Sequence, residues 1–297
     1  MNEQVNNPYP MGFSKKYRVT DGASFRLSDF ATAPDIEVDK EVAKKRKKQL
    51  VKRISKLQDV LFADDKWALL TIFQAMDAAG KDSSIKHLLT GVNPQGCQVQ
   101  SFKRPTSIDL DHDYMWRAAI ALPRRGKIGV FNRSYYEDVL ISRVHDKVLY
   151  AQKLPAQFFD EQIWEHRFAY IRAFEEHLNR NGTKVIKLFL NLSLDEQKRR
   201  FINRIKNPEK NWKFDPNDIY ERGFWDDYMM AYEEAIRATA CKDAPWYVVP
   251  ADNKRYARVV IADAVCEALE SLDLKYPTLS EEVQEILEAH RAKLAQQ

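Results

Sequence analysis

The sequence predicts a three-layer α/β fold, a parallel five-stranded sheet with helices on both faces and a helical lid. Three observations lead there. Short apolar, β-rich runs recur five times, as "WALLTIF" (67–73), "CQVQSF" (97–102), "KIGVF" (127–131), "KVIKLFL" (184–190) and "WYVV" (246–249). Helical patterns separate most of them, and strands that alternate with helices pack as a parallel sheet covered on both sides. The 297 residues, 44% of them hydrophobic, suffice for one large domain with a real core.

In chain order, residues 1–35 read as an N-terminal arm of mixed character with Pro8, Pro10 and Pro34. The arm lacks the basic-then-apolar layout of a secretory signal, and no stretch resembles a membrane span, so a cytoplasmic protein without a membrane partner is expected. The main domain is read as 36–275. Its first helix is expected from about Val38 to Phe62, with Leu50, Ile54, Leu57 and Leu61 on one stripe. From Pro155 to Asn181, Phe158, Phe159, Ile163, Trp164, Phe168, Ile171, Phe174 and Leu178 repeat at helical spacing, which makes them core. A lid is expected at about 198–222 and a charged C-terminal helix over 276–297. Capping-box spacings at Ser134…Glu137, Ser193…Glu196 and Thr278…Glu281 predict three helix starts.

Charge and cysteine usage narrow the chemistry. Net charge is only +4, but basic residues cluster at Lys44–Lys56 and Lys198–Lys213. The first cluster reads as a solvated helix face. The second is interleaved with Phe201, Ile202 and Trp212 and resists that reading. Cys97, Cys241 and Cys266 give neither a disulfide framework nor a zinc spacing, and the six histidines make no ligand pair at helical spacing. Any metal should be a hard cation held by oxygen.

The first strand runs into "QAMDAAGKDSSIKHLL", the strand, loop and helix of a phosphate-binding loop with altered letters. The rule Gly-x4-Gly-Lys-[Ser/Thr] would place Gly at Ala75 and Ser or Thr at Asp82. In such a loop the backbone amides, here those of Ala79, Gly80, Lys81, Asp82 and Ser83, face the anion, and the lysine neutralises it. Asp82 is expected to face outward or cap the helix. Asp77 cannot hold a phosphate but can ligate magnesium that bridges two of them. At the end of "KIGVF", Arg133 offers a planar donor fork and should share a crevice with Lys81. Glu137 reads either as the acid of a capping box or as a group near the acceptor or metal. Arg199, Arg200 and Arg204, followed by Lys210 and Lys213, have the composition of a lid that closes over phosphate and excludes water. Nucleic acid is the rival ligand, disfavoured because these residues accompany a phosphate loop and no exposed aromatic platform.

The combination "DAAGKD", "FKRPTSIDLDHDYMWR", "ALPRRGKIGVFNRSYYEDVL", "SLDEQKRRFINRI", "PEKNWKF", "FWDDYMMAYEEAI" and "APWYVVPADNKRYAR" closely resembles the second polyphosphate kinase family, from roughly residue 10 to residue 270. The resemblance implies a P-loop kinase fold related to thymidylate kinase, with magnesium (manganese as an alternative) and a homodimer or homotetramer. It implies phosphoryl transfer from inorganic polyphosphate to a nucleoside mono- or diphosphate. Carried over, it puts Asp77 on the metal, Lys81 and Arg133 on phosphates and Arg200 on the transferring group. Lys103, Thr106 and Arg117 would lie along the nucleotide, near Asn132 and Glu137. Asn132 stands where much of the family has Asp, a pattern resembling the class III subgroup that accepts AMP and ADP. Glu137 is then a candidate to replace the missing charge at a second metal. An ATP-dependent nucleotide kinase and a non-catalytic polyanion- or RNA-binding protein are the alternatives.

Overall fold

Apolar runs of five to nine residues, too short for stable helices and apolar on both faces, are stable only inside a covered sheet. The computed structural model describes residues 8–297, so the first seven residues of the expected arm lie outside the described residues. A two-residue strand β1 (Arg18–Val19) precedes the long helix α1 (Lys40–Asp64). Then come β2 (Ala68–Gln74), α2 (Lys81–Leu89), β3 (Cys97–Ser101), the one-turn α3 (Ser107–Leu110) and α4 (Trp116–Ala119), and β4 (Ile128–Asn132). The middle of the chain forms α5 (Glu137–Val144), α6 (Asp146–Tyr150), α7 (Ile163–Arg180) and β5 (Thr183–Asn191). It ends with α8 (Leu194–Lys206), α9 (Pro216–Arg222), α10 (Trp225–Thr239), β6 (Trp246–Pro250), α11 (Lys254–Glu270) and α12 (Glu281–Leu294).

Strand order is β1-β6-β5-β2-β4-β3, with the five expected strands all parallel. The sixth strand corrects the expected count: β1 pairs antiparallel with β6, Arg18 opposite Tyr247 and Val19 opposite Trp246. Two residues carry no periodicity, so the sequence does not announce it. Strand alternation sends Leu69 and Phe73 to one face, against Leu50 and Ile54 of α1, Ile85 of α2 and Val260 of α11. Leu70 and Ile72 face the opposite layer, with Val139 of α5, Ile171 of α7 and Ile236 of α10. The N-terminal arm joins the first layer through buried Tyr9, Phe13 and Tyr17, whose rings meet Tyr256 edge-on.

Local expectations need three further corrections. Helix α7 begins at Ile163, because Pro155 opens only a 3-10 turn over Ala156–Phe158, and Phe158 is exposed. Ser134 does not cap α5; its hydroxyl accepts from the Tyr136 amide, while Glu137 turns to Arg133. Helix α12 is capped by Ser280, not Thr278. Ser193 does cap α8 through the Glu196 amide, but the Glu196 carboxylate serves Arg199 and Arg200. A reciprocal box exists instead at Thr106 and Asp109.

Candidate active site

The register brings two strand ends together: Phe73 of β2 lies opposite Asn132 of β4, so the loops that follow leave the sheet side by side. The Arg133 amide donates to the Phe73 carbonyl at 3.0 Å and fastens the second loop to the first. Three residues in these loops hold positive φ: Ala78 at 61°, Gly80 at 103° and Arg133 at 63°. Two of them carry a Cβ, and a left-handed backbone costs on the order of 1–2 kcal/mol there. Such strain persists only where the surroundings over-determine it.

Those surroundings are hydrogen bonds to the loop backbone. The five N–H groups of Arg200 are directed at the carbonyls of Ala78 (3.1 Å), Ala79 (2.7 Å), Ala251 (2.5 Å) and Asp252 (3.2 Å) and at Glu196 (2.7 Å). Gln197 adds a bond to the Asp77 carbonyl at 3.1 Å. The Arg200 fork thus holds the loop carbonyls and positions the loop, a role the sequence did not suggest. The first α2 bond joins the Ser84 amide to the Gly80 carbonyl at 2.9 Å. The preceding amides, of Lys81, Asp82 and Ser83, have no acceptor within the helix. They form an N-terminal anion site of the type a phosphate loop requires.

Lys81 is buried and folds back, its Nζ donating to the Ala75 carbonyl at 2.6 Å. Burial first, then the neighbouring Arg133 charge, lowers its pKa to about 8. Arg133 is gripped by two acids, Asp77 at 2.6 Å and Glu137 at 3.0 Å. Glu137 foremost, with Asp77, raises the arginine's pKa against the opposing effect of burial. With the Gln74 amide oriented by its partners, its nitrogen donates to the other Glu137 oxygen at 2.8 Å, and its oxygen accepts from the Ser134 hydroxyl at 3.1 Å. Both oxygens of Glu137 are therefore engaged, one by Arg133 and one by Gln74. Asp77 gives one oxygen to Arg133 and keeps a third of its side chain exposed. Asp82 is exposed, as expected, and does not cap α2: it accepts from the Asn132 side-chain amide at 2.8 Å across the strand ends.

Asp77, Lys81, Asp82, Asn132, Arg133 and Glu137 thus meet in one crevice at the carboxyl end of the sheet. The other expected residues stand apart. Arg117 donates to the Lys103 carbonyl at 2.8 Å, and Thr106 is occupied as the cap of α3, so these three build the wall after β3. Arg199 chelates Glu196 at 2.5 and 2.6 Å on an exposed face. Arg204 pairs with Asp218 at 2.7 Å, tying α8 to α9. Burial foremost, then Asp77, raises the Asp218 pKa to about 6, so this α9 residue lies within electrostatic reach of the loop. Lys210 and Lys213 are exposed on the 3-10 turn Pro208–Lys213 between those helices.

Sequence reasoning missed the support beneath the site. Lys187 of β5 is fully buried and bonds the Glu175 carboxylate of α7 at 2.5 Å. Glu175 also accepts from the hydroxyls of Tyr135 (2.9 Å) and Tyr136 (2.8 Å), the residues two and three after Arg133. A lysine inside the run "KVIKLFL" was the available signal. Among the described residues, no group of three or more His, Cys, Asp or Glu is arranged to hold a metal, and no helix is long and apolar enough to cross a membrane.

The comparisons with known proteins agree with this geometry. The family model described as polyphosphate kinase 2 matches residues 37–277. An ADP-polyphosphate phosphotransferase of Rhodopseudomonas palustris is 49% identical over 89% of this chain and 92% of its own. An AMP/ADP-polyphosphate phosphotransferase of Meiothermus ruber is 42% identical over 91% of this chain and 98% of its own. The crystal structure of polyphosphate kinase 2 from Arthrobacter aurescens TC1 superposes with a TM-score of 0.86 at 38% identity, covering 96% of each chain. A phosphate loop with an acid inside it, an arginine at the neighbouring strand end and a match over most of the chain together place this protein in the polyphosphate kinase 2 family.

Proposed function

We infer that this enzyme transfers the terminal phosphoryl group of inorganic polyphosphate to AMP and ADP, giving ADP and ATP. The observation that carries this reading is the set Asp77, Lys81 and Arg133 at two adjacent strand ends. The free amides of α2 and the Lys81 ammonium suit a donor chain of phosphates, and Arg133 suits the oxygens around the transferring group. The acceptor is a phosphate oxygen, already ionised near neutral pH, so no strong general base is required. Catalysis then rests on positioning and charge neutralisation. Asp77 fits magnesium, or manganese, because such an ion needs one or two carboxylates and takes its other ligands from water and phosphate. Bound there, it would neutralise phosphate oxygens. The wall of Lys103, Thr106 and Arg117 would lie along the nucleotide, and Arg199, Arg204, Lys210 and Lys213 would meet the chain when the α8–α9 lid closes.

Both named relatives act on ADP, and one of them on AMP as well. Asn132, which stands where much of the family has Asp, supports the broader acceptor range. The setting is the cytoplasm, the protein a homodimer or homotetramer, and neither nucleic acid nor membrane is a partner. The deciding experiment follows nucleotides over time with purified protein, magnesium, long-chain polyphosphate and AMP, without ATP. ADP first and ATP second is the expected result. ADP alone would confine the enzyme to AMP. No turnover unless ATP is supplied as donor would favour an ATP-dependent kinase, and salt-sensitive RNA binding without turnover a polyanion-binding protein.

A further inference from the structure

Beyond residue 277, where the match to the family model ends, the chain carries a helix of which no residue is buried. Every residue from Lys275 to Gln297 is exposed, including the 14 residues of α12. A helix of about 14 residues is marginal in water by itself and holds its shape by burying an apolar face. Such a face is present. At 100° per residue, Val283, Ile286, Leu287, His290 and Leu294 fall on one stripe, and Leu279 just before the helix extends it. Their exposures run from 40% for Val283 to 68% for Leu294.

Charge states what covers that stripe. Glu282 near the start of α12 and Arg291 and Lys293 near its end flank the stripe, while Glu281, Glu285 and Glu288 lie on the far face, Glu288 within 3.3 Å of Arg291. An identical helix laid antiparallel sets Glu282 of each beside the Arg291–Lys293 end of the other and opposes the two helix dipoles. Parallel pairing would set like charge on like. A membrane surface, which attracts basic amphipathic helices, would repel four glutamates. We propose that α12 is a self-association element, through which two copies of this chain pair antiparallel across the Val283–Leu294 stripe. This gives the expected homo-oligomer a surface. It is independent of the phosphotransfer reading, since α12 contributes nothing to the crevice.

The test is light scattering of the full-length chain over a concentration series, with activity measured in parallel. Wild type should reach a dimer or a multiple of it. Val283→Glu with Leu287→Glu should halve that mass at equal concentration, moving its midpoint at least about tenfold, and leave polyphosphate-dependent turnover per chain intact. Because apolar-to-acid changes can disturb α12 itself, charge reversal supplies a second arm. Arg291→Glu with Lys293→Glu, and separately Glu282→Lys, should each weaken association, and mixing the two variants should restore it. A wild-type monomer throughout, or unchanged mass in both the apolar and the charge variants, overturns the proposal. So does a wild-type monomer that co-sediments with phosphatidylserine vesicles, which would make the stripe a lipid-binding face.

Discussion

Lys81 shows how one side chain couples stability to function. Its ammonium is buried and its pKa has fallen from 10.5 to about 8. Below that value the folded chain holds a desolvated charge, at a cost of roughly 3 kcal/mol. Between about 8 and 10.5 the unfolded chain binds the extra proton, so this group's contribution to stability improves as pH rises. Phosphate binding needs the charged form and should run the other way: calorimetric affinity of the free enzyme for polyphosphate should fall as pH rises through about 8, and Lys81→Ala should flatten that profile. The same substitution should lower turnover by about two orders of magnitude or more, as loss of a preorganised charge contact does. An alanine variant with a near-normal rate would remove Lys81 from the mechanism. At this scale the sequence was informative about identity and poor about direction. Asp77, Lys81 and Arg133 were readable as residues that a phosphate site uses. The grip of Asn132 on Asp82 was not, because it depends on the register of β2 against β4.

At the scale of elements, the strained loops depend on neighbours far away in sequence. Arg200 of α8 holds the carbonyls of Ala78 and Ala79 from below. Arg200→Lys keeps the charge but supplies three donors for five roles, so the loop should loosen. We expect turnover to fall by about ten- to a hundredfold, with a small loss of thermal midpoint; an unchanged rate would contradict the positioning role. The second loop rests on the Lys187–Glu175 pair. Burial lowers the Lys187 pKa, and Glu175 opposes the shift. Glu175→Ala strands a buried ammonium and should destabilise by about 3–5 kcal/mol, whereas Glu175→Leu with Lys187→Met should recover most of that in urea unfolding. If the double variant regains stability but not rate, the network's worth lies in placing Tyr135, Tyr136 and so Arg133. All five long strands were legible because apolar, β-branched runs are a local signal. The start of α7 was not, because the helical spacing of the aromatics begins at Phe158, where the backbone forms a 3-10 turn that leaves helical geometry at Phe159.

For the whole molecule, the N-terminal arm behaves as part of the core. Tyr9, Phe13 and Tyr17 close one layer over Tyr256, so Phe13→Ala should cost about 3 kcal/mol and lower the melting temperature by several degrees. A neutral result would return the arm to the periphery. Its composition, with prolines and no periodicity, hid this, since burial there comes from contacts more than 200 residues apart in sequence. The paired state of Arg133 also gives the crevice a competitor of its own. Asp77 and Glu137 already occupy the place an incoming anion would take. A lone orthophosphate offers little that these tethered acids do not, and the chain's own carboxylates have no entropy of capture to lose. A ligand that presents many phosphates along one backbone, and brings cations with it, can displace them step by step. By this pairing the site should discriminate by valency before it discriminates by shape, so long polyphosphate should bind far ahead of orthophosphate at equal phosphate concentration.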